Sequence, residues 1–289
     1  MNKFCTSILL ALLVFTSCSK DHGESPEPNY DLTLRSFKAF MTPYDNGKPL
    51  SALKFLWNME SHNADGSISR RTYRSTYALD EGCSCINDEK YIYTGGILDE
   101  RYVKSSTWTP IRYKYIYSND RISEMEEYLN SGELYAINRY EYEGRTSPSR
   151  MLYYYPDQSS HFAQHIYTYD EKERLVRERV IYFNDVEHTK EWVYDENDNL
   201  TRETLNAPGR AAPLVVEHNK YTYDSKGRIT VREFSTDLGF NPQKWVYHYD
   251  DEKGANSEYV KKIDILEAIA PNVYDLVGVI SYEYTFAKK

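Results

Sequence analysis

From Leu53 onward, apolar and polar positions alternate with a period of two, broken every few residues by turn-forming clusters. The alternation is clearest around a recurring aromatic pair. Tyr-x-Tyr occurs at Tyr91/Tyr93, Tyr115/Tyr117, Tyr140/Tyr142, Tyr167/Tyr169, Tyr221/Tyr223, Tyr247/Tyr249 and Tyr282/Tyr284, and Trp192/Tyr194 fills the gap between the fourth and fifth. Successive pairs start 24, 25, 27, 25, 29, 26 and 35 residues apart, a spacing that marks a repeat architecture. Residues two apart on a strand share a face, so both members of a pair point the same way. Between them stand Glu141, Thr168, Thr222, His248 and Glu283, which suit water. The tyrosine face is therefore expected to be the packed one.

A turn follows each pair. In Asp224-Ser225-Lys226-Gly227 the Asp side chain can bond the backbone two residues on, and Gly227 supplies the left-handed residue that re-enters the ladder. Asp195 to Asp198 repeats this with Asp in the left-handed slot, Asp170 to Glu173 is a poorer fit, and Asp250 opens a further copy. Returning strands then read RITVREF from Arg228, RLVRERVIYF from Arg174 and RISEMEEYL from Arg121, and each stops at a looser turn such as Asn130 to Glu133 or Ala207 to Gly209. Tight turns on both sides force antiparallel neighbours. The expected fold is all-β: an antiparallel meander of about 16 short strands built from ~25-residue hairpin repeats, curled or closed into a water-soluble barrel-like sheet. If so many strands close fully, the interior holds a ligand-sized lumen or the barrel flattens. Leu53–Met59 and Ile68–Tyr77 read as one more hairpin, whereas Asp31–Met41 and Val260–Ile269 fit a strand or a helix equally.

Composition adds two constraints. The 289 residues include 29 Tyr against 10 Phe and 4 Trp, as befits a pleated, half-buried surface. A formal charge of −9 spread along the chain argues against a nucleic-acid partner.

The N-terminus gives an address. Lys3 precedes a short apolar run, Ile8–Phe15, too short to span a bilayer, so residues 1–17 read as a signal peptide. Phe15-Thr16-Ser17-Cys18 resembles the lipobox of bacterial lipoproteins, which implies lipidation at Cys18 and a membrane partner through that anchor. The alternative is ordinary cleavage that leaves Cys18 a free thiol. Residues 18–30 (CSKDHGESPEPNY) then serve as anchor and flexible spacer, and residues 31–289 form a single β-repeat domain. Serine followed by an acidic-leaning run is similar to the surface-export signal of Bacteroidetes lipoproteins, with Lys20 as a departure. The expected location is the outer membrane, surface-exposed, with the periplasmic face as the other reading.

The phrase Tyr221 to Ile229 resembles the YD repeats of the RHS family, which build β-sheet shells around cargo; this chain is too short for such a shell. The chain from about Leu53 to Lys289 is also similar to Bacteroidetes lipoproteins of unknown function with degenerate YD-like repeats and a porin-like β fold. That resemblance implies a fold and transfers no catalytic residue. Membrane barrels carry apolar residues outward along every strand; here the face opposite the tyrosines is charged or hydroxylic, so a bilayer-spanning pore is not expected.

The search for chemistry yields little. HExxH, GxSxG and Walker-type loops do not occur. His161 and His165 have helical metal spacing in a strand context, where residues four apart lie about 13 Å from each other, too far for one ion. Asp195 to Asn199 opens like a calcium loop but has Leu200 where glycine belongs. No metal and no cofactor are therefore expected. Cys83 and Cys85 are a candidate disulfide, with free thiols or an intermolecular bond as alternatives. Trp57, Trp108, Trp192 and Trp245 read as core residues or as sugar-stacking platforms. The functional expectation is non-catalytic binding of a glycan, peptide or envelope partner. The alternatives are a carbohydrate hydrolase with a carboxylate pair in the curled sheet, and a purely structural envelope protein.

Overall fold

The computed structural model describes residues 32–45, 48–51, 55–74, 86–105, 111–249 and 259–288. Its elements are β1 (Leu32–Asp45), β2 (Lys48–Pro49), β3 (Phe55–His62), β4 (Ile68–Arg74), β5 (Ile86–Thr94) and β6 (Ile97–Ser105). There follow β7 (Ile111–Ser118), β8 (Arg121–Leu129), β9 (Leu134–Glu141), β10 (Arg150–Tyr154), β11 (Ala163–Tyr169), β12 (Leu175–Tyr182) and β13 (Glu187–Tyr194). The last are β14 (Leu200–Asn206), β15 (Leu214–Tyr223), β16 (Ile229–Ser235), β17 (Gln243–Tyr249), β18 (Val260–Ala270) and β19 (Val273–Lys288). Residues Asp31–Lys289 group as one compact unit. Residues 1–31, Cys83, Cys85, Trp108 and Asp250 lie outside the described residues, as does the side chain of Trp57.

From β3 to β19 each strand pairs antiparallel with the next, and β1 pairs with both β3 and β19. The result is a closed antiparallel barrel of 18 strands, with β2 as a two-residue addition to the end of β1. Asp31–Met41 and Val260–Ile269, left open by their periodicity, both enter the barrel as strands, β1 and β18. The count exceeds the expected sixteen partly because β1 belongs to the barrel. Its register with β19 runs from Leu32↔Lys288 to Pro43↔Gly278 and forms the longest ladder in the molecule.

The interior face can be identified from burial. Ala39, Met41, Ile263, Ile265 and Ile280 are buried to 3% exposure or less, and Trp245, Tyr247 and Tyr282 pack against them. Cross-strand partners such as Ala39↔Tyr282, Tyr247↔Ile263 and Ile263↔Ile280 put all of these on the tyrosine face. A side chain beside an open water-filled lumen keeps exposed area, so this sector (β17, β18, β19 and β1) is packed solid. Farther round, the same face carries charge, with Glu60, Glu89, Asn138, Glu217 and Asn219 all buried.

The other face belongs to water. Arg70 pairs with Asp88, Arg139 with Glu124, Arg179 with Glu187 and His248 with Asp264, all between neighbouring strands. Exposed pairs of this kind contribute about 0–1 kcal/mol each. Their larger meaning is exclusion: a Lys or Arg facing lipid at mid-bilayer costs about 2–4 kcal/mol, and here such residues stand on strand after strand. The outward face is hydrophilic on these strands.

Gly278 shows how tight the core is. The Met41 side chain occupies the space where a Cβ on Gly278 would stand. Gly278→Ala must shift the flexible end of the Met41 side chain within a site where Met41 is 1% exposed and has little room to move, and should cost about 1–3 kcal/mol. Equilibrium urea unfolding of the two proteins checks this; an unchanged midpoint would contradict the packing described.

Candidate functional site

The recurring phrase acquires a physical meaning in the turns. Asp224 Oδ1 accepts from the backbone N–H of Lys226 and of Arg228, each at 2.9 Å, while its Oδ2 takes Arg228 Nε at 2.7 Å. Asp170 does the same with Lys172 and Arg174, and the Arg174 hydrogen bond holds the Asp170 carboxyl below its ordinary range. The left-handed slot is filled by Gly227 (φ 76°), Asp198 (φ 66°) and, against the sequence expectation of a poor fit, Glu173 (φ 59°). The backbone closes alike in each case, Gly227 N–H donating to Asp224 O and Glu173 N–H to Asp170 O. A side chain in the left-handed region costs on the order of 1 kcal/mol, which the Asp170 bonds offset.

The second tyrosine joins one repeat to the last. At each tight turn the ladder slips by one residue, for example between Ile92 and Tyr93, Ile116 and Tyr117, or His248 and Tyr249. A bulge leaves a carbonyl outside the ladder. Tyr117 donates to Leu98 O (2.8 Å), Tyr142 to Ile122 O (2.9 Å), Tyr169 to Pro148 O (2.9 Å), Tyr194 to Leu175 O (2.9 Å), Tyr249 to Ile229 O (2.8 Å) and Tyr284 to Val260 O (2.7 Å). In the copy after the 29-residue step the first tyrosine takes over. Tyr221 donates to Leu200 O (3.0 Å), while Tyr223 donates to Asp195 Oδ2 (2.6 Å). The arginine of the turn lies over the ring of the next repeat's second tyrosine, Arg174 at 4.8 Å from the Tyr194 centroid and Arg228 at 4.2 Å from Tyr249.

The first tyrosines and their neighbours line a polar interior. Glu60 pairs with Arg71 (2.7 Å), Glu127 accepts from Asn138 (2.7 Å), His165 bonds Glu178 (2.8 Å), and Glu89 accepts from both Tyr73 and Tyr91. Glu203 and Glu217 stand directly opposite each other on β14 and β15. Burial, with Glu217 adding and Lys190 opposing, pushes the Glu203 carboxyl up. Glu217 is held by Asn219 and Arg232. Of the two histidines with metal spacing, only His165 lies on a strand; His161 precedes β11 and sets its ring edge-on to Tyr154. Among the described residues no group of three or more His, Cys, Asp or Glu side chains is placed to hold a metal ion. Asp195 caps its turn through Asn197 and Asn199 N–H, as the Asx-turn reading requires. Trp245 packs on the apolar core, and Trp192 is half-buried on the interior face.

Two hollows open at opposite ends of the barrel. One, of about 510 Å³, lies at the tight-turn end and is lined by Ser118, Asn119, Arg121, Ser123, Tyr140 and Tyr142. Asn119 (φ 51°) and Asp120 (φ 61°) make a two-residue turn there, the left-handed pair that hairpins favour. Arg121 lies 5.3 Å from the Tyr142 ring centroid. The other hollow, about 350 Å³, is mostly apolar and lined by Pro242, Ala268, Ile269, Ala270, Pro271, Asn272 and Tyr274. The looser-turn end also carries an aromatic cluster in which the Phe162 ring meets Tyr153, Tyr155, Tyr182 and Phe183, the last 69% exposed. Sequence reasoning singled out Tyr140 and Tyr142 as repeat aromatics but did not gather the lining of the first hollow. The signal was present: Ser118 stands where four of the eight copies have Asp after the aromatic pair.

No protein-family model matches the chain, and no curated protein matches it. Among solved structures, a porin-like protein from Bacteroides uniformis is 8% identical with a TM-score of 0.44, over 87% of this chain and 98% of that one. A porin-like protein from Bacteroides vulgatus is 13% identical with a TM-score of 0.34, over 85% and 97%. The TcdB2-TccC3-Cdc42 structure is 12% identical with a TM-score of 0.32, over 79% of this chain and 15% of that one.

Two outcomes follow from the tyrosine network. Tyr249→Phe strips the Ile229 carbonyl of its partner and should cost about 1–2 kcal/mol, read as a lower urea midpoint with an unchanged slope. Burial also raises the tyrosine hydroxyls, Tyr73, Tyr221 and Tyr249 to about 12. The folded barrel therefore favours the neutral phenol. Stability is complete below the unfolded value of about 10 and falls as pH climbs from there toward 12. In an alkaline titration the part of the tyrosinate absorbance that comes from the buried tyrosines should appear together with loss of β-sheet circular dichroism. Smooth ionisation near pH 10 with the sheet intact would contradict the burial.

Proposed function

We propose that this chain is a lipid-anchored, water-exposed β-barrel of the bacterial envelope that binds a ligand without transforming it. The observation that carries this reading is the hollow of about 510 Å³ at the tight-turn end. Its volume falls in the usual range of small-molecule sites, and it combines aromatic faces with a few convergent polar groups. Tyr140 and Tyr142 offer ring surface, while Ser118, Asn119, Arg121 and Ser123 offer donors and acceptors. That pairing of stacking surface and hydrogen-bonding edge suits a saccharide. The lipobox-like Phe15-Thr16-Ser17-Cys18 and the polar spacer support attachment to the outer membrane, and the charged outer face supports life in water beside the bilayer rather than within it.

Thermal unfolding of the full chain, extracted from membranes in mild detergent, against a panel of oligosaccharides tests the reading. A ligand at a hundredfold excess over its Kd should add about 2.7 kcal/mol of stability, a rise of several degrees. Cys18→Ala should move the protein from the membrane to the soluble fraction. One observation favours a hydrolytic second reading: Glu203 and Glu217 face each other across β14 and β15. Consumption of a stabilising ligand, lost in Glu217→Gln, would select it over simple binding.

A further inference from the structure

The tight turns differ in one consequential position. Where the turn opens with Asp170 or Asp224, the arginine that follows is neutralised within the turn, Arg174 and Arg228 each bonding their aspartate at 2.7 Å. The β7–β8 turn opens with Ser118 instead. Arg121 occupies the corresponding place, at the start of the returning strand and over the second tyrosine of the next repeat, 5.3 Å from the Tyr142 centroid. It has the ring of its counterparts without their carboxylate, and among the described residues it forms no ion pair. The hollow of about 510 Å³ at this end opens beside it, with Ser118, Ser123, Tyr140 and Tyr142 in its wall.

From this we infer that the hollow takes an anionic saccharide: a uronic acid whose carboxylate replaces the missing aspartate on Arg121 and whose pyranose ring lies against Tyr140 and Tyr142. The inference rests on the saccharide-binding reading above and adds the charge. A guanidinium presents two parallel N–H donors that match a carboxylate fork, and the tyrosine ring beneath it fixes the plane of that fork. Phosphate and sulfate esters share this chemistry, and the test separates them. A chain with a formal charge of −9 selects a ligand with one negative group over a dense polyanion.

The test is titration calorimetry on the full chain in detergent with glucuronate, glucose, glucose phosphate and glucose sulfate. Two substitutions accompany it. Arg121→Gln removes the cation. Ser118→Asp supplies the kind of intramolecular partner found in the Asp170 and Asp224 turns, and urea unfolding confirms that the barrel keeps its stability. Glucuronate should bind the wild type at least tenfold more tightly than glucose or either ester, and both substitutions should remove that advantage. Equal affinity for glucose and glucuronate, unaffected by Ser118→Asp, would overturn the charged ligand while leaving saccharide binding standing. Preference for an ester would overturn the carboxylate assignment. Binding of none of the four by the wild type would overturn the inference, while an oligosaccharide that still raised the melting temperature would keep the broader reading alive.

Discussion

The barrel depends on a hydrogen bond between a tyrosine hydroxyl and a bulge carbonyl one strand back. A tight turn that re-enters the ladder through a left-handed residue must misalign the two strands by one position, and that slip leaves a carbonyl facing the interior without a ladder partner. An unpaired buried carbonyl is costly. The next repeat supplies the donor, at 2.7–2.9 Å in the copies ending at Tyr142, Tyr194 and Tyr284; β9 and β10 pair without a slip, and there Tyr169 donates to Pro148 O just ahead of β10. Each hairpin is thus completed by its successor. The chemistry also explains why phenylalanine does not substitute here: the ring alone would fill the space and leave the carbonyl unsatisfied.

The same constraint orders the rest of the phrase. Aspartate caps the turn, the left-handed residue closes it, and arginine bridges from the aspartate to the tyrosine ring that arrives next. Outside, the alternating residues are free to serve water, and they do so as cross-strand ion pairs whose contribution to stability is small. Inside, the fully apolar sector is confined to β17–β19 and β1, while the remaining wall satisfies its carboxylates with tyrosine, arginine, asparagine and histidine. The polar wall is affordable only because nearly every member has a partner.

Much of this was legible in the chain. The period, the shared face of each Tyr-x-Tyr pair, the turn chemistry of Asp170, Asp195 and Asp224 and the hydrophilic outer face all follow from local rules with a two-residue or four-residue reach. What was not legible involves distance. DLTLRSFKAFM fits strand or helix by itself, and only pairing with β19 and β3 makes it β1. Diagonal partners on neighbouring strands, such as His165 with Glu178, depend on register, which turns decide and composition does not. The hollow at Ser118 needed two facts together, a missing aspartate and the strands that bring Tyr140 and Tyr142 to it. Only the first is written in the sequence.

Closure through β1 has a consequence for how the molecule comes into being. The seam joins Leu32 to Lys288, so the pairing that ends the barrel links the two extremes of the described chain. Contacts so remote in sequence form late and slowly. Every earlier hairpin can assemble as the polypeptide emerges, latched to its predecessor, yet the growing sheet keeps two raw edges until the last strand arrives. A protein delivered to its site in this order would spend its youth as an open ribbon, vulnerable to edge-to-edge association. The sixteen residues of β19 then decide whether it matures or aggregates.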